Sequence, residues 1–288
     1  MTVPVEPGVA SPPVPTMQIA DHPWLRPDDL AIPMLPAQAH RVLQLVADPD
    51  VTITRLASVV SKDPVLATRV LGMANSALYG AMSPLRSVSD AVVRLGTRTV
   101  RNVVVTVSMH SQVKSPEVYG QEGARFMEHA IGTAYVAHMV AERAREDVDE
   151  AFLCGLLHDL GKLVILRTAH DYQQKHKIVI RGNELQAALT DHHATCGALA
   201  LQFWNVPPDV CEIVRHHHAF EQAGDPQAAA VCYAANLLSH RYGFGCLPDG
   251  DAVLEDAVFA YLKLDAEWMA RADVRAPGLF SAARQALG

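Results

Sequence analysis

Apolar residues recur at intervals of three and four along most of this chain of 288 residues, which is the spacing of an amphipathic helix. Asp63 followed by Pro64 is typical of a helix start, with an N-cap and a proline in the first turn. The segments predicted as helices in the first part are Ala37–Ala47, Thr52–Ser61 and Pro64–Ala74. Those predicted later are Gly123–Arg145, Asp149–Arg167, Glu184–Phe203, Pro208–His218, Gln227–Arg241, Asp251–Leu262 and Asp265–Ala272. No repeated strand pattern occurs, so the sequence predicts an all-α fold.

The segment Ser89–Met109 is ambiguous, because its β-branched run Val103–Val107 favours a strand by propensity. Its length and context favour a buried helix instead. In such a helix Arg94, Arg98 and Arg101, spaced by four and three, share one face. That face fits a site for phosphate or for an acidic partner, and the alternative is an ordinary solvated face.

Breaks in the helical pattern divide the chain into four parts. Residues 1–28 are rich in proline and poor in periodicity, so we expect a flexible leader there. An N-terminal helical unit over 29–115 and a second helical unit over 116–242 follow, and residues 243–288 form a C-terminal helical extension. The turn at Ser115-Pro116 is short, which predicts that the N-terminal bundle packs on the second bundle.

Composition and charge narrow the functional classes. A net charge of -7 and a pI near 6.0 disfavour broad attachment to nucleic acid or to anionic membranes. The odd number of cysteines and the absence of a C-x-x-C pair argue against a disulfide framework and a zinc ribbon. No stretch has the length of a membrane span and no signal peptide is recognisable, so we expect a cytoplasmic protein with no membrane partner.

His158-Asp159 stands within an otherwise apolar helical run, Leu156 to Leu163. Burying a histidine beside a carboxylate is costly, and a divalent cation would offset that cost. Other histidines stand in spaced clusters upstream and downstream, at His129, His193, His216, His217 and His218. The alternative is that His158 and Asp159 bond each other while the remaining histidines lie on the surface.

Four motifs appear in a characteristic order between about residues 30 and 240. They are Ile32-Pro33-Met34-Leu35-Pro36, Asp63-Pro64-Val65-Leu66, Ala74-Asn75-Ser76-Ala77-Leu78-Tyr79 and Ala91-Val92-Val93-Arg94-Leu95-Gly96. With these motifs the chain resembles the HDOD family, a class of bacterial regulatory domains related to HD-domain phosphohydrolases. Asn75-Ser76, part of this signature, is expected to shape the exit from a helix through local hydrogen bonds.

The resemblance implies that the second unit is an HD-like helical bundle in which metal ligands come from separate helices. The positions that match are His129, His158, Asp159, His193, His217 and His218. Imidazole and carboxylate ligands suit iron, manganese or zinc. Lys162 would contact a substrate phosphate if the protein is an enzyme, whereas a lysine near a helix end commonly only satisfies backbone carbonyls. His129 has its own alternative, a core histidine bonded to a backbone carbonyl.

Two departures from the related hydrolases bear on activity. The late carboxylate of those hydrolases is matched by Asn236, which carries no negative charge. Ala219 follows the histidine doublet, and no Gly-Tyr-Pro element is present, unlike the phosphodiesterase subgroup. The resemblance therefore favours a signalling module that acts through protein–protein interaction, with signalling proteins as partners, a nucleotide second messenger as a candidate ligand and a vestigial or regulatory metal site. The alternative is a metal-dependent phosphohydrolase acting on a nucleotide or a cyclic dinucleotide.

Overall fold

The computed structural model describes residues 22–76, 79, 84–245 and 254–287, and within them the fold is helical with no strand. The helices before residue 120 are α1 (Ala37–Val46), α2 (Ile53–Val60), α3 (Pro64–Ala74), α4 (Val88–Leu95), α5 (Thr97–Gln112) and α6 (Pro116–Tyr119). The later ones are α7 (Glu122–Ala144), α8 (Val148–Leu157), α9 (Leu160–His176), α10 (Gly182–Phe203), α11 (Pro208–Arg215), α12 (Pro226–Arg241), α13 (Ala257–Tyr261) and α14 (Ala266–Leu287). The predicted all-α class is confirmed.

Helix starts follow local capping signals in the sequence. The side chains of Thr52, Asp63, Asp147 and Asp225 each accept a hydrogen bond from backbone N–H groups in the first turn of the helix that follows. Asp63 and Asp225 are followed directly by proline, which cannot supply an N–H and suits the first helical position. The boundaries predicted from these signals therefore lie within a residue or two of the observed ones.

The helices form two bundles in contact. In the first, α1 packs on α2 and α5, while α4 packs on α2, α3 and α5. In the second, α7 packs on α8 and α12, and α10 packs on α9 and α11. The bundles meet where α5 lies against α8, and α14 contacts both α3 and α7. This arrangement confirms the expected packing of the N-terminal bundle on an HD-like bundle.

Two segments predicted as single helices are each interrupted. The β-branched run Val103–Val107 is helical as expected, but α4 ends before Gly96, whose φ of +80° stops one helix and starts the next. The segment predicted as Asp149–Arg167 is likewise divided, because α8 ends at Leu157 and α9 begins at Leu160. The interruption falls on His158 and Asp159.

The three arginines predicted to share one face do not form an open surface. Because of the break at Gly96, Arg94 lies on α4, where its Nη1 donates to the Ala74 carbonyl at 3.1 Å. Arg98, on α5, forms an ion pair with Asp147. Arg101 is buried, and its Nε donates to Asn102 Oδ1 at 3.2 Å. The three arginines therefore do not share one helical face, because Gly96 separates Arg94 from the other two, and Arg98 stays exposed beside Asp147. Binding of phosphate or of an acidic partner by these arginines stays a prediction.

Part of the expected flexible leader, residues 22–25, is docked on the second bundle. Trp24 and Leu25 are buried, and Trp24 Nε1 donates to Glu184 Oε1 at 2.7 Å on α10. The chain continues across the second bundle, where the Pro33 carbonyl accepts from Trp204 Nε1 at 2.9 Å. Large apolar side chains thus dock a proline-rich stretch. Residues 1–21 of the expected leader lie outside the described residues.

Other expectations concern membranes, cysteines and local turns. None of the described helices is both long and apolar enough to cross a membrane. Four cysteines of the described part, Cys154, Cys196, Cys211 and Cys232, are buried free thiols. Ser76 makes the expected local bond, since its hydroxyl donates to the Met73 carbonyl at 2.7 Å. The Asn75 side chain instead bonds ten residues away, donating to the Leu85 carbonyl at 2.9 Å and accepting from the Leu85 N–H at 2.7 Å.

Candidate metal centre

The break between α8 and α9 places His158 and Asp159 at the centre of the second bundle. Around them the structure brings together every site residue expected there: His129 on α7, His193 on α10, His217 and His218 after α11, and Asn236 on α12. All except His218 are buried. The cluster thus draws on six helices or helix ends, from α7 to α12.

Close contact between α9 and α10 sets the position of His193. Gly161 lies so near α10 that a Cβ there would come within 1.8 Å of the His193 carbonyl oxygen and 2.6 Å of the Gly197 nitrogen. Only a residue without a side chain fits at this crossing. The Leu160-Gly161 sequence after Asp159 is therefore part of the site's architecture.

Three imidazoles are oriented by carbonyl groups of their own helices. His158, His193 and His217 each direct Nδ1 to a backbone oxygen three or four residues earlier, at 2.8, 2.7 and 2.6 Å. Because a carbonyl only accepts, each Nδ1 carries the proton and each Nε2 keeps its lone pair. The three lone pairs point into the cluster, as metal-binding histidines require.

The donor atoms are spaced as ligands of shared ions. His193 Nε2 lies 3.3 Å from His217 Nε2 and 3.0 Å from His218 Nε2. Two nitrogens bound to one ion at about 2.1 Å are separated by roughly 3.0–3.4 Å. Two neutral imidazoles with facing lone pairs repel each other at this distance, so a cation between them resolves the contact.

Asp159 connects two groups of ligands. Its Oδ1 lies 3.4 Å from His193 Nε2, and its Oδ2 lies 3.4 Å from His158 Nε2. The first group is His193, His217 and His218, and the second is His129, His158 and Asp159; in each, the donor atoms lie within 4.8 Å of one another. The Asp159 carboxylate is thus within reach of an ion bound by either group.

Burial lowers the pKa of His129, His193, His217 and His218. It lowers the pKa of His129 and of His218 from 6.5 to about 4 in each case, with neighbouring histidines adding to the effect. The pKa of His217 is also held well below its usual value by burial and by His158. Burial alone would raise the pKa of Asp159, but His158 and Lys162 outweigh it and hold that pKa well below its usual range. Neutral imidazoles and a charged carboxylate are the protonation states that bind a metal ion.

Two atoms test whether the residues present fit a metal. His158 Nε2 and Asp159 Oδ1 are fully buried and have no hydrogen-bond partner. Such buried polar atoms are costly unless they are paired, and both face the other donors of the cluster. A divalent cation would satisfy them, so the donor set fits a metal. Of the histidines that the alternative places on the surface, His129, His193 and His217 are buried and His218 is exposed.

His129 is held differently from the other histidines. Its Nδ1 lies 3.2 Å from the backbone oxygen of Phe244, and its Nε2 lies 3.0 Å from Asn236 Oδ1 and 3.8 Å from Asp159 Oδ2. The alternative in which His129 is a core histidine bonded to a backbone carbonyl is consistent with the first contact. The nearness of Asp159 keeps it within the ligand set as well.

Lys162 and His216 complete the surroundings. Lys162 Nζ donates to Asp159 Oδ2 at 2.6 Å rather than to helix-end carbonyls, and its side chain remains partly exposed. His216 pairs with Glu212 at 3.3 Å and lies outside both ligand groups, as expected of a neighbour. Phe244 and Gly161 were not identified from the sequence, because a backbone oxygen and a missing side chain leave no polar signal. Gly243 and Gly245, on either side of Phe244, are the one local feature of the sequence that hints at the Phe244 contact.

Comparison with known proteins gives a consistent picture. The model of the HDOD domain matches residues 32–220. A candidate phosphohydrolase from Shewanella amazonensis SB2B superposes with a TM-score of 0.69 at 26% identity, covering 91% of this chain and 96% of its own. A candidate signal transduction protein from Marinobacter aquaeolei VT8 has a TM-score of 0.66 at 26% identity, covering 89% of this chain and 60% of its own.

Two sequence relatives are longer proteins. An uncharacterised protein of Treponema pallidum is 28% identical over 220 residues, which are 70% of this chain and 41% of the relative. Ribonuclease Y of Campylobacter jejuni is 28% identical over 137 residues, 48% of this chain and 22% of the enzyme. The chain thus spans less than half the length of either protein.

Proposed function

Because the chain belongs to the HDOD domain family, we propose that it is a signal-transduction module with a regulatory divalent-metal site, acting through contacts with other signalling proteins. The observation that carries the proposal is the convergence of the His193 and His217 Nε2 atoms on Asp159 Oδ1, a buried oxygen with no hydrogen-bond partner, with His218 Nε2 beside His193 Nε2 at 3.0 Å. The mixed nitrogen and oxygen set suits iron, manganese or zinc.

The composition of the site supports a regulatory role. Asp159 is the one carboxylate in the two ligand groups of the described residues, and Asn236 stands where the related hydrolases have a further carboxylate. With fewer negative ligands, the site neutralises less of the charge of a divalent cation, and its affinity for a second cation is lower. The burial of His158, Asp159 and His217 also leaves little of the cluster open to a substrate. Metal held this way would mainly fix the relative positions of the helices that carry its ligands.

A metal-dependent phosphohydrolase is the second candidate, favoured by one observation. Lys162 and His218 keep solvent access at the edge of the cluster, and Lys162 Nζ lies 2.6 Å from Asp159 Oδ2. A bound ion would supply a hydroxide and neutralise charge on a phosphoryl group. In that case Lys162 would bind a phosphate oxygen, and a nucleotide or cyclic dinucleotide would approach from this edge.

Metal content is the first test. We expect the purified protein to bind iron, manganese or zinc, by elemental analysis, and the combined His158→Ala and Asp159→Ala variant to lose the metal. His216→Ala is the matched control, since this neighbouring histidine pairs with Glu212 outside both ligand groups. Near-stoichiometric metal that survives the double substitution would show that these residues are not the ligands.

Turnover separates the two candidates. Metal-loaded protein should show negligible hydrolysis of bis-p-nitrophenyl phosphate, nucleotides and cyclic dinucleotides. Calorimetry tests whether the protein binds a cyclic dinucleotide without hydrolysing it. Robust turnover that is lost in the His158→Ala and Asp159→Ala variant but kept in His216→Ala would overturn the regulatory proposal and favour the enzyme.

A further inference from the structure

His129 is the ligand whose orientation depends on a distant part of the chain. His158, His193 and His217 direct Nδ1 to carbonyls of their own helices, whereas the partner of His129 Nδ1 is the Phe244 carbonyl, 115 residues later. Residue 244 also lies beyond the part of the chain that matches the family model, residues 32–220. The C-terminal extension therefore reaches the metal centre directly.

The two neighbours of His129 decide which ring nitrogen carries the proton. The Phe244 oxygen can only accept, so it pairs with a protonated Nδ1 at 3.2 Å. Asn236 offers an oxygen and an NH2 group of nearly the same size, and by turning its amide it can donate to an unprotonated Nε2. Of the two neutral forms of the ring, only the one with the proton on Nδ1 satisfies both neighbours. In that form Nε2 keeps its lone pair, which accepts from the Asn236 NH2 group in the metal-free protein and which a metal ion would take in its place.

Close packing fixes the Phe244 carbonyl above α7. Gly245 has a φ of +69°, and a Cβ there would come within 2.1 Å of the Arg125 oxygen and 2.6 Å of the His129 nitrogen. The Phe244 ring covers Gly132, where a Cβ would lie 2.5 Å from the ring. Two glycines thus allow residues 242–245, here called the strap, to lie directly on the helix that carries His129.

The long helix α14 holds the strap in place. The Phe280 ring stacks on the Phe244 ring, with centroids 4.3 Å apart and an interplanar angle of 26°. Asp273 forms an ion pair with Arg241 and accepts a hydrogen bond from the Tyr242 hydroxyl at 3.0 Å. Contacts with α14 therefore hold the strap at Tyr242 and at Phe244.

We propose that α14 and the strap are a positioning element for His129, and that the docking of α14, through the Phe280–Phe244 stack, sets how well His129 binds the metal. The inference rests on the metal site of the proposed function, and it adds how that site is regulated. A partner or modification that moves α14 would act on the metal centre through this stack. Phe280 is a positioning residue, since it contacts neither metal nor ligand atom.

The test compares two adjacent residues of α14. Phe280→Ala removes the stack, whereas Leu279→Ala removes a side chain of similar exposure that faces a separate cavity of about 100 Å³ between the bundles. Both should lower the melting temperature, because both delete packed apolar groups. Only Phe280→Ala should weaken Mn²⁺ binding, by roughly 10-fold, the scale seen when an outer partner of a ligand is lost. In the His129→Ala background, Phe280→Ala should cause no further loss.

A second readout needs no metal. Nitrogen NMR of metal-free protein, with the His129 signal assigned by its disappearance in His129→Ala, should show the proton on Nδ1 in the wild type and in Leu279→Ala. It should show a mixture of both forms in Phe280→Ala. If Phe280→Ala does not fold, Phe280→Leu keeps most of the volume without the stacked ring and should show the same changes to a smaller degree.

The possible results separate this inference from the proposed function. Wild-type protein that binds no metal would sink the proposed function, while a shift in the His129 proton on Phe280→Ala would still support the positioning role. Normal metal affinity and an unchanged His129 signal in both Phe280 variants would overturn the inference and leave the metal site standing. Equal losses in Leu279→Ala and Phe280→Ala would also overturn it, because general destabilisation would then explain them.

Discussion

Asn236 is the residue that most directly limits the charge of the metal centre. Its side-chain oxygen lies 3.0 Å from His129 Nε2, close to the Asp159 carboxylate. A carboxylate in its place would add a negative ligand on the side of α12. In the absence of a cation the same carboxylate would be buried near Asp159 and would repel it.

We therefore expect Asn236→Asp to tighten Mn²⁺ binding by about 10-fold or more and to lower the melting temperature of the metal-free protein. Isothermal titration calorimetry and thermal melts in chelator measure the two effects. Asn205→Asp, which makes the same change at an exposed position, is the control and should leave both unchanged. Unchanged Mn²⁺ affinity in Asn236→Asp would mean that this side chain does not face a bound ion.

The buried histidines predict how the stability of the metal-free protein depends on pH. Burial lowers the pKa of His129 from 6.5 to about 4, so between these values the unfolded chain binds a proton that the folded chain does not. The free energy of unfolding should then fall as the pH is lowered from about 6.5 to 4. A single histidine of this kind contributes on the order of 3 kcal/mol across the window.

Urea melts of chelator-treated protein at pH 7.5, 6 and 5 measure this loss. His129→Gln, which cannot take up a proton, should show a shallower decline than the wild type, and the exposed control His176→Gln should not. Identical slopes for wild type and His129→Gln would show that His129 is already protonated in the folded protein.

The ligands could be found from the sequence because their type and spacing leave a signal. His158-Asp159 is conspicuous in an apolar run, and the doublet His217-His218 follows a helix end. The partner that orients His129 could not be found this way, because it is the backbone oxygen of Phe244 and any residue has one. Side-chain chemistry is visible in a sequence, whereas backbone partners depend on the tertiary fold.

At the level of helices, the hydrophobic periodicity predicted which segments are helical, and the capping signals predicted where helices start. Neither signal predicted where a helix is interrupted. The segment expected from Asp149 to Arg167 keeps its apolar pattern through the break at His158 and Asp159, because both sides of the break are buried. Gly96 also separates two helices that share one continuous pattern. A change of direction between buried helices leaves the hydrophobic period almost unaltered.

The crossing of α9 and α10 gives a prediction at this scale. Gly161→Ala would place a Cβ 1.8 Å from the His193 carbonyl oxygen, so the helices must separate and His193 must move from Asp159. We expect a loss of stability of roughly 3 kcal/mol, as for an overpacked core, together with loss of metal binding. Chemical denaturation and elemental analysis measure the two effects.

Gly72→Ala is the matched control, because Gly72 also lies within a helix and no atom lies within 4 Å of a Cβ placed there. Alanine favours a helix over glycine, so this variant should gain up to about 1 kcal/mol and keep its metal. A Gly161→Ala protein that binds metal normally would show that the crossing does not set the position of His193.

For the whole molecule, the sequence predicted two helical bundles in contact but not how the ends of the chain dock. Trp24 and Leu25 lie in a stretch with no periodicity, and their burial, with Trp24 bonded to Glu184 on α10, is decided by surfaces that form only after folding. Arg101 was expected on an exposed face for a similar reason: its position on α5 is polar by pattern, yet α8 covers it. Contacts between distant segments leave little trace in local periodicity.

The contact between the bundles predicts a single unfolding transition. Thr99 Oγ1 donates to Asp149 Oδ1 at 2.9 Å, and the buried Asn102 donates to the Asp149 carbonyl at 2.8 Å, so α5 is bonded to the first turn of α8. The three tryptophans, Trp24, Trp204 and Trp268, all lie outside residues 29–115, whereas circular dichroism reports on every helix. If the bundles unfold together, fluorescence and circular dichroism must give the same urea midpoint.

Asn102→Ala tests whether that buried contact holds the bundles together. The substitution leaves the Arg101 Nε without its partner and removes the bond to α8, which should cost about 2 kcal/mol. Ser108→Ala is the control, since this equally buried hydroxyl bonds only within its own helix, to the Val104 carbonyl. We expect Asn102→Ala to shift both midpoints together and by more than Ser108→Ala does. Wild-type midpoints that differ between the two probes would mean that the bundles unfold separately and that the α5–α8 contact does not couple them.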